Sequence, residues 1–321
     1  MSWLPQTISG RVYAALLLIL APAPFVFEWI NQPFYLDLLS RALILAIAVV
    51  SLNLILGFGG MVSLGHAAYI GIGAYCVGIP SYYDFYSGWL HLALALSVSA
   101  SFALLTGAIS LRTKGVYFIM ITMAFSQMAY FTFLSLEEYG ADDGLVIYSR
   151  SEFPEWMTMD SGTSLYYWIF TLLLLSLFFV HRLVHSRFGR VIVGSKFNEQ
   201  RMQALGFNTY RYRLVCYVIS AMICSLAGML LGNFTGFISP DMIGWARSGE
   251  LIFMVIIGGT GTFFGPLVGT IVFVLLEEFL SLITVYWHLI FGVMLVALVL
   301  FGKGGIHGWL SLLDRKGDEH G

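Results

Sequence analysis

Long apolar runs, separated by short polar interruptions, set the pattern of this chain from near its start to near its end. A helix crosses a bilayer core in about 20 residues, each rising roughly 1.5 Å. Runs that meet or approach that length are Val12–Phe27, Leu38–Leu56, Met61–Pro80, Trp89–Leu111, Val116–Leu136, Leu165–Val180, Leu214–Phe237 and Tyr286–Phe301. Between the last two lies Leu251–Ile283, interrupted by Gly258-Gly259-Thr260-Gly261. The part Leu251–Ile257 is too short to cross alone. The pattern therefore predicts a half-helix, then a longer helix starting near Pro266, since proline is tolerated in a first turn. The first run is broken by Pro22 and Pro24 and has no small-x-small cleavage site. It reads as a first membrane helix that stays attached rather than a cleaved signal.

Composition agrees with the pattern. Of 321 residues, 59% are hydrophobic and 11% charged, with a mean hydropathy of +0.84. A soluble domain carries about 25% charged residues and has no means of hiding so much apolar surface. The expected fold is one all-α domain over residues 1–321, a polytopic transmembrane helical bundle of about 8–10 membrane segments, some broken or re-entrant.

The few charges sort by position. The loop 182–213 holds Arg182, Arg187, Arg190, Lys196, Arg201, Arg211 and Arg213 against the single acid Glu199. Arg112 and Lys114 share a short loop, and Lys303, Arg315 and Lys316 lie near the end. The positive-inside rule makes these regions cytoplasmic. The loop 137–164 carries Glu137, Glu138, Asp142, Asp143, Glu152, Glu155 and Asp160 with only Arg150, which fits the outer, periplasmic face. Alternating the spans from these anchors puts both termini inside. No basic stripe with interleaved aromatics points to nucleic acid. Cys76, Cys216 and Cys224 lie in apolar runs without CxxC spacing, so they read as packing residues rather than disulfides or metal ligands.

The pattern lacks an engine. No GxxxxGK[ST] phosphate loop, HExxH or GxSxG motif is present, so neither ATP hydrolysis nor covalent catalysis is expected of this chain. Ionisable groups deep in the spans, which a proton-driven transporter needs, are thin: Glu277 and Glu278 fall toward a helix end, and His66 sits among glycines.

Two stretches look built for a path. In Ser51–Tyr75, Gly57, Gly59 and Gly60 break or kink the helix, while Gly65, Gly71 and Gly73 allow close approach of a neighbour. Asn53, Ser63 and His66 add polar groups that lipid penalises, so they face protein or a watery cavity. The second is Gly258–Gly269, with Gly258, Gly259, Thr260, Gly261, Thr262 and Pro266. A broken helix at membrane depth is tolerated only when buried in protein or lining a cavity. A tightly packed helix pair and a translocation path both satisfy these features. The stretches fall in opposite halves of the chain, a hint of an internal pseudo-repeat. In the middle loop, Ser195–Leu205 is predicted as a short helix with Phe197, Met202 and Leu205 apolar and Gly206 as its stop. Such a helix is either interfacial or a docking element.

Five segments, taken in order, resemble LivM-type permeases of branched-chain amino acid ABC importers. They are Ser51–Tyr75, Leu111-Arg-Thr-Lys-Gly-Val-Tyr-Phe, Gly140-Ala-Asp-Asp-Gly-Leu, Ser186-Arg-Phe-Gly-Arg with Asn198-Glu and Ala204-Leu-Gly, and Gly258-Gly-Thr-Gly-Thr-Phe-Phe-Gly-Pro266. The resemblance implies an ABC importer permease fold in the bacterial inner membrane, working by alternating access. It implies a second, LivH-like permease, two cytoplasmic ATPase subunits that carry ATP and Mg, and a periplasmic substrate-binding protein. The chain itself would need no cofactor or metal and would not be an enzyme. Within Ser186–Gly206 it points to ATPase coupling by Arg187, Arg190, Phe197, Asn198, Glu199, Ala204, Leu205 and Gly206, with Arg187 and Arg190 serving in part as inside-facing topology charges. Asn53, Gly59, Gly60, Ser63, Gly65, His66, Gly258, Gly259, Thr260, Gly261 and Thr262 are the candidates for the translocation path. The family also includes importers of urea, short amides and aromatic acids, and an ion-coupled secondary transporter is the rival outside it. Lys196-Phe197 stands where the family has an arginine-containing run, and the tail Gly302-Lys-Gly-Gly-Ile lacks its usual Arg-Pro ending.

Overall fold

The computed structural model describes residues 15–154, 159, 161–301 and 304–308. Val12, Glu155, Asp160, Lys303, Arg315 and Lys316, on which part of the topology rests, lie outside the described residues. Helical residues 15–20 end in a turn at 21–22, where Pro22 caps α1 (Ala23–Trp29). The expected first membrane helix is thus two short pieces among the described residues. A proline inside a helix removes a donor and clashes with the preceding turn.

Then come α2 (Pro33–Asn53), which runs into a π-helical turn (Leu54–Phe58), α3 (Ala67–Tyr82), α4 (Gly88–Ser110), α5 (Val116–Leu134) and α6 (Gly162–His185). They are followed by α7 (Arg187–Phe197), α8 (Glu199–Ala204), α9 (Thr209–Thr235), α10 (Trp245–Gly258), α11 (Gly265–Ile283) and α12 (Trp287–Phe301). Six helices among the described residues are long and apolar enough to cross a membrane: α2 with its π turn, α4, α5, α6, α9 and α11. At roughly 1.5 Å per residue, α3 and α10 fall short of a bilayer core. The run Met61–Pro80 was expected to be one span. Residues 59–66 are instead non-helical, and the helix starts only at Ala67.

The centre of the bundle is α2, α3 and α9. About the apolar window of each span, 78% of α2 and 61% of α9 is buried, against 22% of α5. Close approach explains the tight α3–α9 crossing. A Cβ on Gly73 would lie 2.1 Å from the Ser225 carbonyl oxygen, and one on Gly228 would lie 2.0 Å from that of Ile70. Without a hydrophobic drive between helices in lipid, such backbone contact is what holds them. Several hydroxyls in the spans donate within their own helix, as Ser40 does to Leu36 and Thr270 to Pro266, which satisfies them without water.

One end of the bundle is closed by an ordered loop. β1 (Leu145–Val146) pairs antiparallel with β2 (Phe237–Ile238). The Ser151 amide donates to Asn233 Oδ1 at 2.7 Å, and buried His91 bridges the Ser151 hydroxyl and the Phe85 carbonyl. The described part of the acidic segment, residues 137–154, and the residues after α9 therefore share one end. Lys114, Lys196 and Arg213 gather at the other, where the helix breaks lie.

Candidate translocation and coupling site

The two broken stretches meet, and Asn53 holds them together. Asn53 is 2% exposed, at the last α-helical position before the π turn. Its Nδ2 donates to the Thr262 carbonyl at 2.7 Å, and its Oδ1 accepts from the Gly261 amide at 3.0 Å. Both amide functions of one side chain are thus spent on the backbone of the second break. Gly57 makes the approach possible. A Cβ there would sit 2.1 Å from Asn53 Oδ1 and 2.4 Å from Gly261 N. Phe58 adds an apolar contact to Phe263, with ring centroids 5.1 Å apart, and His181 and His185 of α6 cover the other side of Phe263.

Ser63 and His66 are fully enclosed. His66 Nε2 lies 3.0 Å from the Ser51 hydroxyl and 3.2 Å from that of Ser220. Those hydroxyls already donate to the Ala48 and Ser51 carbonyls. With those protons spent, the ring Nε2 donates to the two hydroxyls and clamps α2 to α9. Gly65 packs on the Thr122 carbonyl of α5, and Ser63 accepts from the Gly65 amide. Of the residues expected on a path, Gly60 and Thr260 are exposed, while Asn53, Ser63, Gly65 and His66 are buried. Gly258 and Gly259 are buried and Thr262 half-buried, its hydroxyl turned back onto the Gly259 carbonyl.

The middle loop differs from the single helix expected over Ser195–Leu205. It is two helices, α7 and α8, broken at Asn198, whose side chain accepts from the Arg201 amide and caps α8. An Asn with a free lone pair competes for backbone donors and starts a helix better than it continues one. Glu199 is then an internal anchor. Its carboxylate meets Lys114 Nζ at 2.5 Å and Arg213 at 3.3 Å, and accepts from the Thr209 hydroxyl at 3.0 Å. Burial alone raises this carboxyl, but the Lys114 hydrogen bond and the Arg213 charge outweigh it and hold the group below its ordinary range. Phe197 and Leu205 point outward, 81% and 65% exposed. Ala204 and Gly206 are exposed beside them, as are Arg187 and Arg190 on the first turn of α7.

Two features escaped the sequence. Arg41, inside an apolar run, pairs with Glu277 across α2 and α11 at 3.1 Å; a charge of each sign within two spans was the available signal. Lys196 reaches back to the first break and donates to the Gly57 carbonyl at 2.6 Å.

Membrane-length helices wrapped around two mutually clamped helix breaks, with an exposed basic elbow at one end, define a multi-pass membrane transport subunit. The family model described as the branched-chain amino acid transport system / permease component matches residues 34–299, and the chain belongs to that family. It is 26% identical to the high-affinity branched-chain amino acid transport system permease protein LivM of Salmonella typhimurium and equally to that of Escherichia coli, over 94% of this chain and 76% of each relative. It is also 30% identical to the corresponding LivH permease of Escherichia coli over 126 residues, 39% of this chain and 41% of that one. No solved structure matches the chain.

Proposed function

We propose that this permease is one membrane subunit of an ATP-driven importer in a bacterial inner membrane and carries branched-chain or closely related amino acids. Its basic end faces the cytoplasm and its acidic loop the outside. Two ATPase subunits supply the energy, a periplasmic binding protein delivers the solute, and a second, LivH-like permease completes the pore. The two helix breaks are the moving wall of the path, which opens to either side in turn.

The observation that carries this reading is the α7–α8 elbow. Phe197 and Leu205 expose apolar side chains on a segment whose break is held internally, by Asn198 capping α8 and Glu199 paired with Lys114 and Arg213. Such side chains gain by entering a partner's cleft. The names of the LivM and LivH relatives support the cargo and the second permease. The second permease also fits α5. That helix meets the bundle along Phe118, Thr122, Ser126 and Ala129. Its other face holds Gln127 in an open groove with Ala124, Met128 and Phe131. Among the described residues nothing hydrogen-bonds the Gln127 amide, and hydrocarbon does not satisfy it.

The test is co-expression with the neighbouring transport genes, purification in mild detergent and reconstitution. ATP-dependent amino-acid uptake only by the complete assembly is expected. Uptake by liposomes containing this chain alone would sink the proposal.

A further inference from the structure

The elbow and both helix breaks are joined by one continuous set of contacts, and a lysine begins it. Lys196 occupies the last turn of α7, next to exposed Phe197. Its ammonium donates to the Gly57 carbonyl at 2.6 Å. That carbonyl belongs to the π turn that ends α2, where helical carbonyls run out of amide partners and a cation is favoured. The lysine stem is pinned as well. It lies on Gly60, where a Cβ would be 2.8 Å from Lys196 Cγ. On the far side of the same turn, Asn53 holds Gly261 and Thr262. At its own end, α7 is fixed by Arg213, which donates to the Ser195 carbonyl at 3.2 Å.

We infer that Lys196 is the positioning residue that passes displacement of the α7–α8 elbow to both helix breaks, through the Gly57 carbonyl to the first and through Asn53 to the second. The inference rests on the reading of this elbow as the ATPase-driven segment. Both ends of the lysine are constrained, so a shift of α7 pulls on the turn instead of being absorbed by a free side chain. Asn53 uses both amide functions on the second break, so the two breaks move together. From residue 196 to residue 262 each link is a hydrogen bond of 3.0 Å or less or a contact that excludes a Cβ.

Two measurements on the purified assembly test it, with Lys196→Met, which keeps the stem and removes the donor, and Lys196→Arg, which keeps the charge. The first is amide hydrogen exchange. Lys196→Met is expected to exchange faster over residues 54–62 and also over 259–264, and Lys196→Arg to restore protection to both. Acceleration confined to 54–62, or none, overturns the relay. The second is solute carried per ATP hydrolysed. Lys196→Met is expected to lower it on the order of tenfold, the factor set by one charge-assisted hydrogen bond, with ATP hydrolysis retained. An unchanged ratio overturns the relay too. So does failure of both variants to assemble, which makes the lysine part of the scaffold. Absence of ATP-driven uptake by the wild type would count against the importer reading alone, because the exchange comparison still decides whether the breaks are linked.

Discussion

At the residue scale, Asn53 and Glu199 show how a polar side chain inside or beside a membrane span becomes a fastener. Asn53 has donor and acceptor in one group, and the second break offers it a carbonyl and an amide. Asn53→Leu keeps the branched outline of the side chain and strands both backbone groups. Leaving buried polar groups unpaired costs about 1–3 kcal/mol, so thermal melting in detergent should fall measurably and uptake with it. Glu199 answers to pH. Its carboxyl is held below the ordinary value, so its contribution to stability is fully present above the usual carboxylate range, near about 4.3. That contribution disappears as pH falls through the depressed value. Melting of the wild type should therefore be flat with respect to this group between neutral and mildly acidic pH. Glu199→Gln should be destabilised across that whole window, because Lys114 and Arg213 lose their counter-charge. A variant that melts like wild type at neutral pH would remove Glu199 from the anchor role.

At the element scale, the helices follow close backbone approach as much as hydrophobicity. Gly228 of α9 has the Ile70 carbonyl of α3 where a side chain would begin. Gly228→Ala must push two helices apart, and overpacking of this kind costs about 1–3 kcal/mol. Gly249 is also helical but has nothing within 4 Å. Gly249→Ala should leave stability unchanged or raise it by up to about 1 kcal/mol. Equal effects of the two in a melting comparison would contradict the packing described. The same distinction explains what was legible from the chain alone. Run length found α4 and α5 within two residues, because a span announces itself by apolar length. It also found the end of the short α10 and the start of α11 near Pro266, because glycine and proline punctuate locally, while α10 begins at Trp245, six residues before the expected half-helix. Residues 61–66 fall inside the expected span because their composition stays apolar, while the extended course there depends on Thr122 and Ser248, which bond this segment and the start of α3 from far along the chain. The break at Asn198 was visible in principle as a capping residue before Glu, yet apolar spacing across it suggested one helix. Asn53 was singled out as polar, but its partner lies about 200 positions away, and no local pattern encodes that.

At the scale of the whole molecule, the uneven burial of the spans tells which surfaces await partners. In the inward helix α2, Ser40, Arg41, Ser51 and Asn53 are all bonded within the chain, and in the more exposed helix α4 Ser97 and Ser101 donate to its own carbonyls. Helix α5 does neither at Gln127, whose long amide cannot turn back onto its helix as a serine does and whose groove is open. A carboxamide left in hydrocarbon carries the cost of an unmade hydrogen bond on each side, so a neighbour that supplies a polar group there is strongly selected. Gln127→Leu should therefore weaken retention of the second permease during detergent purification. Leu105→Ser on the exposed face of α4 should not, because a serine there can bond back within its own helix. A photoactivatable crosslinker attached to a cysteine placed at Gln127 or Phe131 should capture the second permease, whereas the same label at Leu105 should not. If the pattern reverses, α5 faces lipid and the pore closes against another side of this chain.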